Sequence, residues 1–296
     1  MSLPPEAIDT VVVEVLRSAK YASICAETVR GVASLETRST RSIKEAVKRV
    51  KRKLHQIGGA YQAAPTPYDA WLAELRAAPD RETLLPLCRR MMSAHASSQE
   101  RLPYLDAFYA HVFGDIGPVT SVLDLACGLN PLAIPWMGLA DDTRYDCIDI
   151  YHDQITFLQG WLALLKKPGR ATCQDLLLRP PSGQYDVALL LKSVPCLQQI
   201  DAEATSRLLG AIPAQKLVVS FPSRSLGGRN VGMVMNYQRA FESLMQQLGL
   251  HGEGHIVGDE LVYIITTHGE PASTESHLPR ECAHDRHPPG SESLWR

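Results

Sequence analysis

From Thr120 to Thr267 the chain alternates short apolar runs with helical patterns, and that alternation leaves few folds open. The runs SVLDLAC (121–127), YDCIDI (145–150), ATCQDLL (171–177), YDVALLLK (185–192) and KLVVSFP (216–222) read as strands. Helical spacing fits between them at about 152–166, 198–210 and 234–248, as the crossovers of a parallel sheet require. The end differs, because GEGHIVGDELVYIITT (252–267) offers two strands joined by a short Gly-Asp turn. Five alternating units closed by a hairpin predict an α/β fold with a seven-stranded, Rossmann-like sheet.

The front of the chain is helical and basic. SIKEAVKRVKRKLHQI (42–57) holds seven basic side chains in a protein of net charge -2. Its apolar residues Ile43, Val47, Val50, Leu54 and Ile57 recur at helical spacing, so one side should dock while Lys44, Lys48, Arg49, Lys51, Arg52 and Lys53 surround the rest. Weaker helical patterns span Ala7–Ala19 and Ala26–Ala33. Gly58-Gly59 stops the basic helix, AAPTPYDAW (63–71) reads as a connector, and helices are expected at Tyr68–Ala77, Glu82–His95 and Ser98–Phe113. The small net charge hides an asymmetry: residues 1–110 carry 16 Lys and Arg against 12 Asp and Glu, the remainder 14 against 20. A basic front on an acidic body points to an anionic partner held by one part of the molecule. The expected division is a helical, basic, nucleic-acid-binding subdomain with linker (1–110), a sheet domain (111–267) and a disordered polar tail (268–296).

Other classes recede. The start, MSLPPEAIDT, lacks a basic stretch followed by an apolar one, and no run approaches a membrane span, so no membrane partner and a cytoplasmic location are expected. The seven cysteines are odd in number and contain no C-x-x-C pair, which signals neither a disulfide framework nor a metal site. A monomer is the expectation.

Open α/β sheets bind ligands at the carboxyl ends of their strands. The first strand ends in LDLACGLNP (123–131), where Asp124 can accept hydrogen bonds and Gly128 lets backbone approach a ligand. Neither a P-loop nor G-x-G-x-x-G is present. Asp149 ends the second run, suitably placed for two ribose hydroxyls, and Asp175 stands at the third, placed to accept from an adenine amino group. This ordered set resembles the S-adenosylmethionine-dependent methyltransferases. The [DN]-P-P-[YF] motif usual for amino-group methylation is absent after strand 4, where LKSVPCL (191–197) stands. Pro195-Cys196 leaves open a cytosine C5 enzyme with a thiolate nucleophile, or simply a buried cysteine beginning a helix.

One family carries the likeness further. KRVKRKLHQIGGAY, MMSAHASSQERLPYLDAFY, LDLACGLNPLAIPWMGL, LLLKSVPCL, FPSRSLGGR and MNYQRAFESL occur in order from Lys48 to Leu244. Together they resemble the aminoglycoside-resistance methyltransferases that modify guanine N7 in the decoding site of 16S rRNA within the 30S subunit. The resemblance implies cofactor contacts at Tyr61, His95, Ala96, Ser97, Arg101, Ala126, Asp149, Asp175, Leu176, Leu191 and Gln199, with Gly128 in the same turn. Arg101 would pair the methionine carboxylate, its alternative being an ion pair with Asp106 or Glu100. Guanine N7 has an in-plane lone pair and no proton, so no acid–base residue is required, and the positioning candidates are Lys192, Arg224 and Arg229. A flipped target base should stack on an aromatic ring that the sequence does not single out. Two other readings remain: a methyltransferase of another RNA, a small molecule or a protein, and a non-catalytic RNA-binding assembly factor.

Overall fold

The computed structural model describes residues 3–4, 6–56, 66–114, 116–223 and 231–267. Ile57, Gly58-Gly59, the start of the connector and the 268–296 tail lie outside the described residues. Three helices come first: α1 (Ala7–Leu16), α2 (Ala26–Thr37) and α3 (Ile43–Leu54). Then follow α4 (Tyr68–Ala77), α5 (Arg81–Met92), α6 (Ala96–Arg101) and α7 (Leu105–Gly114). The sheet elements are β1 (Ser121–Leu125), β2 (Arg144–Asp149), α8 (His152–Leu164), β3 (Ala171–Cys173), β4 (Tyr185–Leu191), α9 (Val194–Ile200), α10 (Ala202–Ala211), β5 (Ala214–Pro222), α11 (Val231–Leu248), β6 (His251–Val257) and β7 (Glu260–Thr266).

The seven strands form one sheet in the order β3-β2-β1-β4-β5-β7-β6, parallel except for β7, which runs antiparallel to both its neighbours. Strand alternation decides which face each side chain serves. Val122, Tyr145, Cys147, Val187, Leu189 and Val218 pack with α4, α5, α7 and α8. Leu123, Leu125, Ile148, Ala188, Leu190 and Leu217 pack with α9, α10 and α11. Helices α4, α5 and α7 thus share their core with the sheet, so the packing does not break at residue 110. The separate core belongs to α1, α2 and α3 alone, closed on Tyr151 and touched by Ile150 and Ile200.

Where elements end differently from expectation, a local cause is visible. The single helix expected at 98–113 is broken by a 3₁₀ turn at Leu102–Tyr104 containing Pro103, which cannot donate a backbone hydrogen bond. The helix expected at 198–210 is two, because Asp201 ends α9 and caps α10 by accepting from the Ala204 N–H at 2.8 Å. β3 stops at Cys173, and the Asp175 carboxylate then holds a turn by accepting from the N–H groups of Leu177 (2.9 Å) and Leu178 (3.1 Å).

The basic helix α3 forms as expected, with Ser42 Oγ accepting from the Glu45 N–H at 3.2 Å in the S-x-x-E pattern of a helix start. Its buried stripe is Ala46, Val50 and Leu54, whereas Ile43 is exposed and Val47 half-buried. Burial of Val50 and Leu54 stabilises the docked helix by roughly 1.5–3 kcal/mol each.

Candidate functional site

The strands β1 and β4, neighbours at the centre of the sheet, both end in residues with positive φ that are not glycine: Ala126 at 49° and Lys192 at 56°. Such a conformation costs an L-residue roughly 1–2 kcal/mol and is retained where the surroundings impose it. Both residues line a cavity of about 840 Å³, open mouth included, at the carboxyl edge of β1, β2, β3 and β4. The sheet builds its site where a doubly wound topology leads one to look.

Of the residues expected there, His95, Ser97, Ala126, Gly128, Asp149, Asp175, Leu176, Leu191 and Lys192 line the cavity. Ala96 begins α6 between two of them but is not on the wall. Tyr61, Arg224 and Arg229 lie outside the described residues. Two expectations meet a different arrangement. Gln199 is exposed on α9 and absent from the cavity wall, its backbone carbonyl accepting from Lys53 Nζ; the neighbouring Cys196, Leu197 and Ile200 form the wall instead. Arg101 is 2% exposed and off the cavity wall. Its Nε and Nη2 donate to Glu260 Oε1 and Oε2, both at 2.8 Å, and its Nη1 donates to Asn130 Oδ1 at 2.9 Å. The ion pair is therefore with a residue 159 positions away, not with Asp106 or Glu100.

The acids occupy distinct settings. Asp149 Oδ2 accepts from the Gly128 N–H at 2.8 Å and Oδ1 from the Ile150 N–H at 2.7 Å, while burial pushes its carboxyl above the usual range. A carboxylate offers about four lone-pair sites, so acceptor capacity remains for ligand hydroxyls. Asp175 spends Oδ1 on its turn and presents a second oxygen beside Leu176 and Leu177. Asp124 lies beneath the site, 1% exposed, with Oδ2 accepting from Tyr145 Oη (2.6 Å) and Asn130 Nδ2 (2.9 Å). Burial raises its pKa to about 7.

The basic groups are compensated. Lys192 Nζ donates to Glu100 Oε2 at 2.7 Å and to the Ser97 carbonyl at 3.1 Å, and lies 3.3 Å from Glu260 Oε1. Burial, then the charges of Lys192 and Arg101, lower the pKa of His95 to about 4, so its imidazole is neutral at pH 7. That ring packs on Gly128, whose φ is 51° and where an added Cβ would come within 2.9 Å of His95 Cε1. The cavity thus has acceptors at two strand ends, apolar walls between them, and no uncompensated cation among its described residues. It suits a nucleoside-bearing ligand with a hydroxylated sugar and a positive charge of its own.

Sequence reasoning missed Thr28, Tyr151 and Gln154 on the wall. Thr28 belongs to α2, so the helical front end contributes to the cavity directly; no strand or turn motif marks it. Cys196 begins α9 behind Pro195 and lies half-buried on the wall, not in the core.

The basic helix divides in two. Arg49 pairs with Glu36 at 2.8 Å, Lys53 bonds the Gln199 carbonyl, and Lys51 lies over the Tyr21 ring. Lys44, Lys48 and Arg52 are exposed at steps of four, one solvent-facing row of charge.

Among the described residues no helix is long and apolar enough to cross a membrane, and no group of His, Cys, Asp and Glu could hold a metal ion.

The comparisons agree with this geometry. Residues 17–264 match the family model for ribosomal RNA methyltransferase (FmrO). A 16S rRNA (guanine(1405)-N(7))-methyltransferase of Frankia casuarinae is 41% identical over 266 residues, 88% of this chain and 94% of the relative. One of the same name from Micromonospora echinospora is 38% identical over 269 residues, 89% of this chain and 98% of the relative. Among solved structures, the 16S rRNA methyltransferase RmtF in complex with S-adenosyl-L-homocysteine superposes with a TM-score of 0.77 at 34% identity, covering 88% of this chain and 98% of that one. The 16S rRNA methylase RmtB gives 0.73 at 31% identity, covering 88% and 98%. The chain belongs to the FmrO family of ribosomal RNA methyltransferases.

Proposed function

We propose that the protein transfers a methyl group from S-adenosylmethionine to guanine N7 in the decoding site of 16S rRNA, acting on the 30S subunit in the cytoplasm and conferring aminoglycoside resistance. The observation that carries this reading is the identity to guanine-N7 16S rRNA methyltransferases along nearly the whole chain. The site fits the cofactor on its own chemistry. Asp149 is fixed by two backbone N–H groups with acceptor capacity left for ribose hydroxyls, and Asp175 presents an oxygen between apolar residues, as an adenine amino group requires. The cofactor supplies an electrophilic methyl on a sulfonium centre.

This chain's residues then have a narrow task. Because N7 attacks through its own lone pair, the bond forms with no proton to remove, and no base is asked of the wall. Neutral His95, together with Lys192 tied between two carboxylates, keeps the wall free of repulsion toward a cationic donor and a cationic purine. Lys192, Arg224 and Arg229 are the proposed positioning residues, and Lys192 acts through the Ser97 and Glu100 contacts of α6. The row Lys44, Lys48 and Arg52 is the proposed rRNA-docking surface, serving phosphates and shape more than base edges. Lys51 adds to it weakly, while Arg49 ties α3 to α2 and Lys53 ties the helical unit to α9.

The test is transfer of a radiolabelled methyl group to 30S subunits, to free 16S rRNA and to protein. Label confined to the 16S rRNA of intact 30S subunits supports the reading; label in protein only would overturn it. Cys196→Ala separates the cytosine C5 alternative, since a thiolate nucleophile cannot be dispensed with.

A further inference from the structure

Two thiols with no part in methyl transfer meet at the seam between the three-helix unit and the sheet. Cys25 precedes α2 and donates its backbone N–H to the Ile150 carbonyl at 2.8 Å, next to the Ile24–Tyr151 bridge and the 2.7 Å bond from the His152 N–H to the Ser23 carbonyl. Cys173 ends β3 and stands opposite Asp149 in register, one residue before Ile150. Both cysteines are thus pinned to the same end of β2, one from the helical unit and one from the sheet, close enough that each thiol shifts the ionisation of the other. The contact has support on both sides. Thr28 Oγ1 lies 3.0 Å from Cys25 Sγ, and Glu27 accepts from the Asp175 N–H (2.9 Å) and from Arg179 Nη2 (2.7 Å). The first turn of α2 therefore closes on the β3 side of the cavity, which Thr28 and Asp175 both line.

We propose that Cys25 and Cys173 form an oxidisable dithiol, a modification site for hydroperoxides, whose disulfide fastens α2 to the end of β3 at the rim of the cavity. Cys25 is the attacking member. The neighbouring Cys173 thiol, against burial and helped by Thr28, lowers its pKa, and the start of a 12-residue helix favours a thiolate. Cys25 is itself buried, and half-buried Cys173 beside it gives a peroxide its approach from solvent. The Cys25 thiolate attacks the distal peroxide oxygen; the O–O bond breaks, giving a sulfenic acid and, after proton transfer, the alcohol, or water from hydrogen peroxide. The Cys173 sulfur then attacks the sulfenic sulfur, the S–O bond breaks, and hydroxide leaves with the Cys173 proton as water. In sum, two thiols lose two protons and two electrons to one hydroperoxide. The other thiol pair, Cys127 with Cys147, is an internal control: neither has a half-buried partner that opens it to solvent, and burial first, then Cys147, raises the Cys127 pKa well above the usual thiol value.

The experiment treats the purified full-length protein with hydrogen peroxide near pH 7.5, alkylates the remaining thiols, and digests without reductant for mass spectrometry. The expected result is a peptide pair joined through Cys25 and Cys173, lighter by two hydrogens, lost on adding dithiothreitol, with Cys127 and Cys147 unjoined. In Cys173→Ser the link should vanish and Cys25 should take up dimedone, a sulfenic-acid trap. Alkylation of both Cys25 and Cys173 after peroxide treatment would overturn the proposal, as would a link formed only between other cysteines. The outcome is independent of what the methyl acceptor is.

Discussion

Arg101 and Glu260 form a buried, two-pronged ion pair, Nε to Oε1 and Nη2 to Oε2 at 2.8 Å each, that ties α6 to the first residue of β7. Glu260 also accepts from Ser220 Oγ at 2.8 Å and faces Lys192, so one carboxylate neutralises two cations beside the cavity. Burial alone would raise its pKa, but Arg101 and Lys192 hold it below the usual range. Replacing one partner strands a buried charge. Glu260→Gln and Arg101→Met should each cost about 3–5 kcal/mol in urea unfolding, and the double substitution Arg101→Met/Glu260→Gln clearly less than their sum. Strict additivity would show that the pair is not coupled.

Gly128 combines a left-handed backbone with a ring directly above it. Gly128→Ala should lose roughly 1–2 kcal/mol from backbone strain and more from the contact with His95, whose Cε1 would lie 2.9 Å from the new Cβ. His95→Ala in that background should restore the second part alone. Thermal unfolding of both single variants and the double variant checks this; a double variant no more stable than Gly128→Ala would place the clash elsewhere.

Asp149 and Gln199 should separate cleanly in cofactor binding. Asp149→Ala removes the acceptor fixed by Gly128 and Ile150, and the dissociation constant for S-adenosylmethionine should rise by about 30-fold or more, equivalent to roughly 2 kcal/mol. Gln199→Ala, on the exposed side of α9, should change it by less than about two-fold. Isothermal titration calorimetry reads both.

Asp124 makes stability fall as pH rises. Burial lifts its folded-state pKa from 3.8 to about 7, so between those values the folded protein binds the proton that the unfolded chain has released. The contribution is full below about pH 4 and lost by about pH 7, to a limit of about 4 kcal/mol. Asp124→Asn imitates the protonated form. Its stability relative to the parent should therefore rise from pH 5 to pH 7.5 in urea unfolding, and a difference independent of pH would contradict the assignment.

The charge row on α3 makes a prediction about salt. Lys44→Glu/Lys48→Glu/Arg52→Glu should weaken 30S binding and lower the slope of log affinity against log salt by about one for each phosphate that is no longer neutralised. Cofactor affinity should hold. Loss of cofactor binding in this variant would make the row structural.

Much of this was legible in the chain. Strand runs are short and apolar, so β1, β2, β4 and β5 stood out, and Asp149, Gly128 and Asp175 could be placed at their ends by order alone. Ala126 and Lys192 could not be recognised as left-handed, because only glycine advertises that conformation and the surrounding fold imposes it here. Arg101 and Glu260 were not paired in advance because 159 residues separate them and only the antiparallel insertion of β7 brings them together. Thr28 was missed for a similar reason: it reaches the cavity through the docking of α2, which no local pattern encodes. The row on α3 was visible as charge, but which residues remain free depended on Glu36, Tyr21 and the Gln199 carbonyl.

The most direct test of the central claim maps the modified nucleotide. Methylated 16S rRNA from treated 30S subunits is reduced with borohydride and cleaved with aniline, a chemistry specific for N7-methylguanine, and the break is located by primer extension. The account predicts one new break at a guanine of the decoding site, absent when Asp149→Ala replaces the parent protein; methylated rRNA that resists cleavage, or a break outside the decoding site, would contradict it.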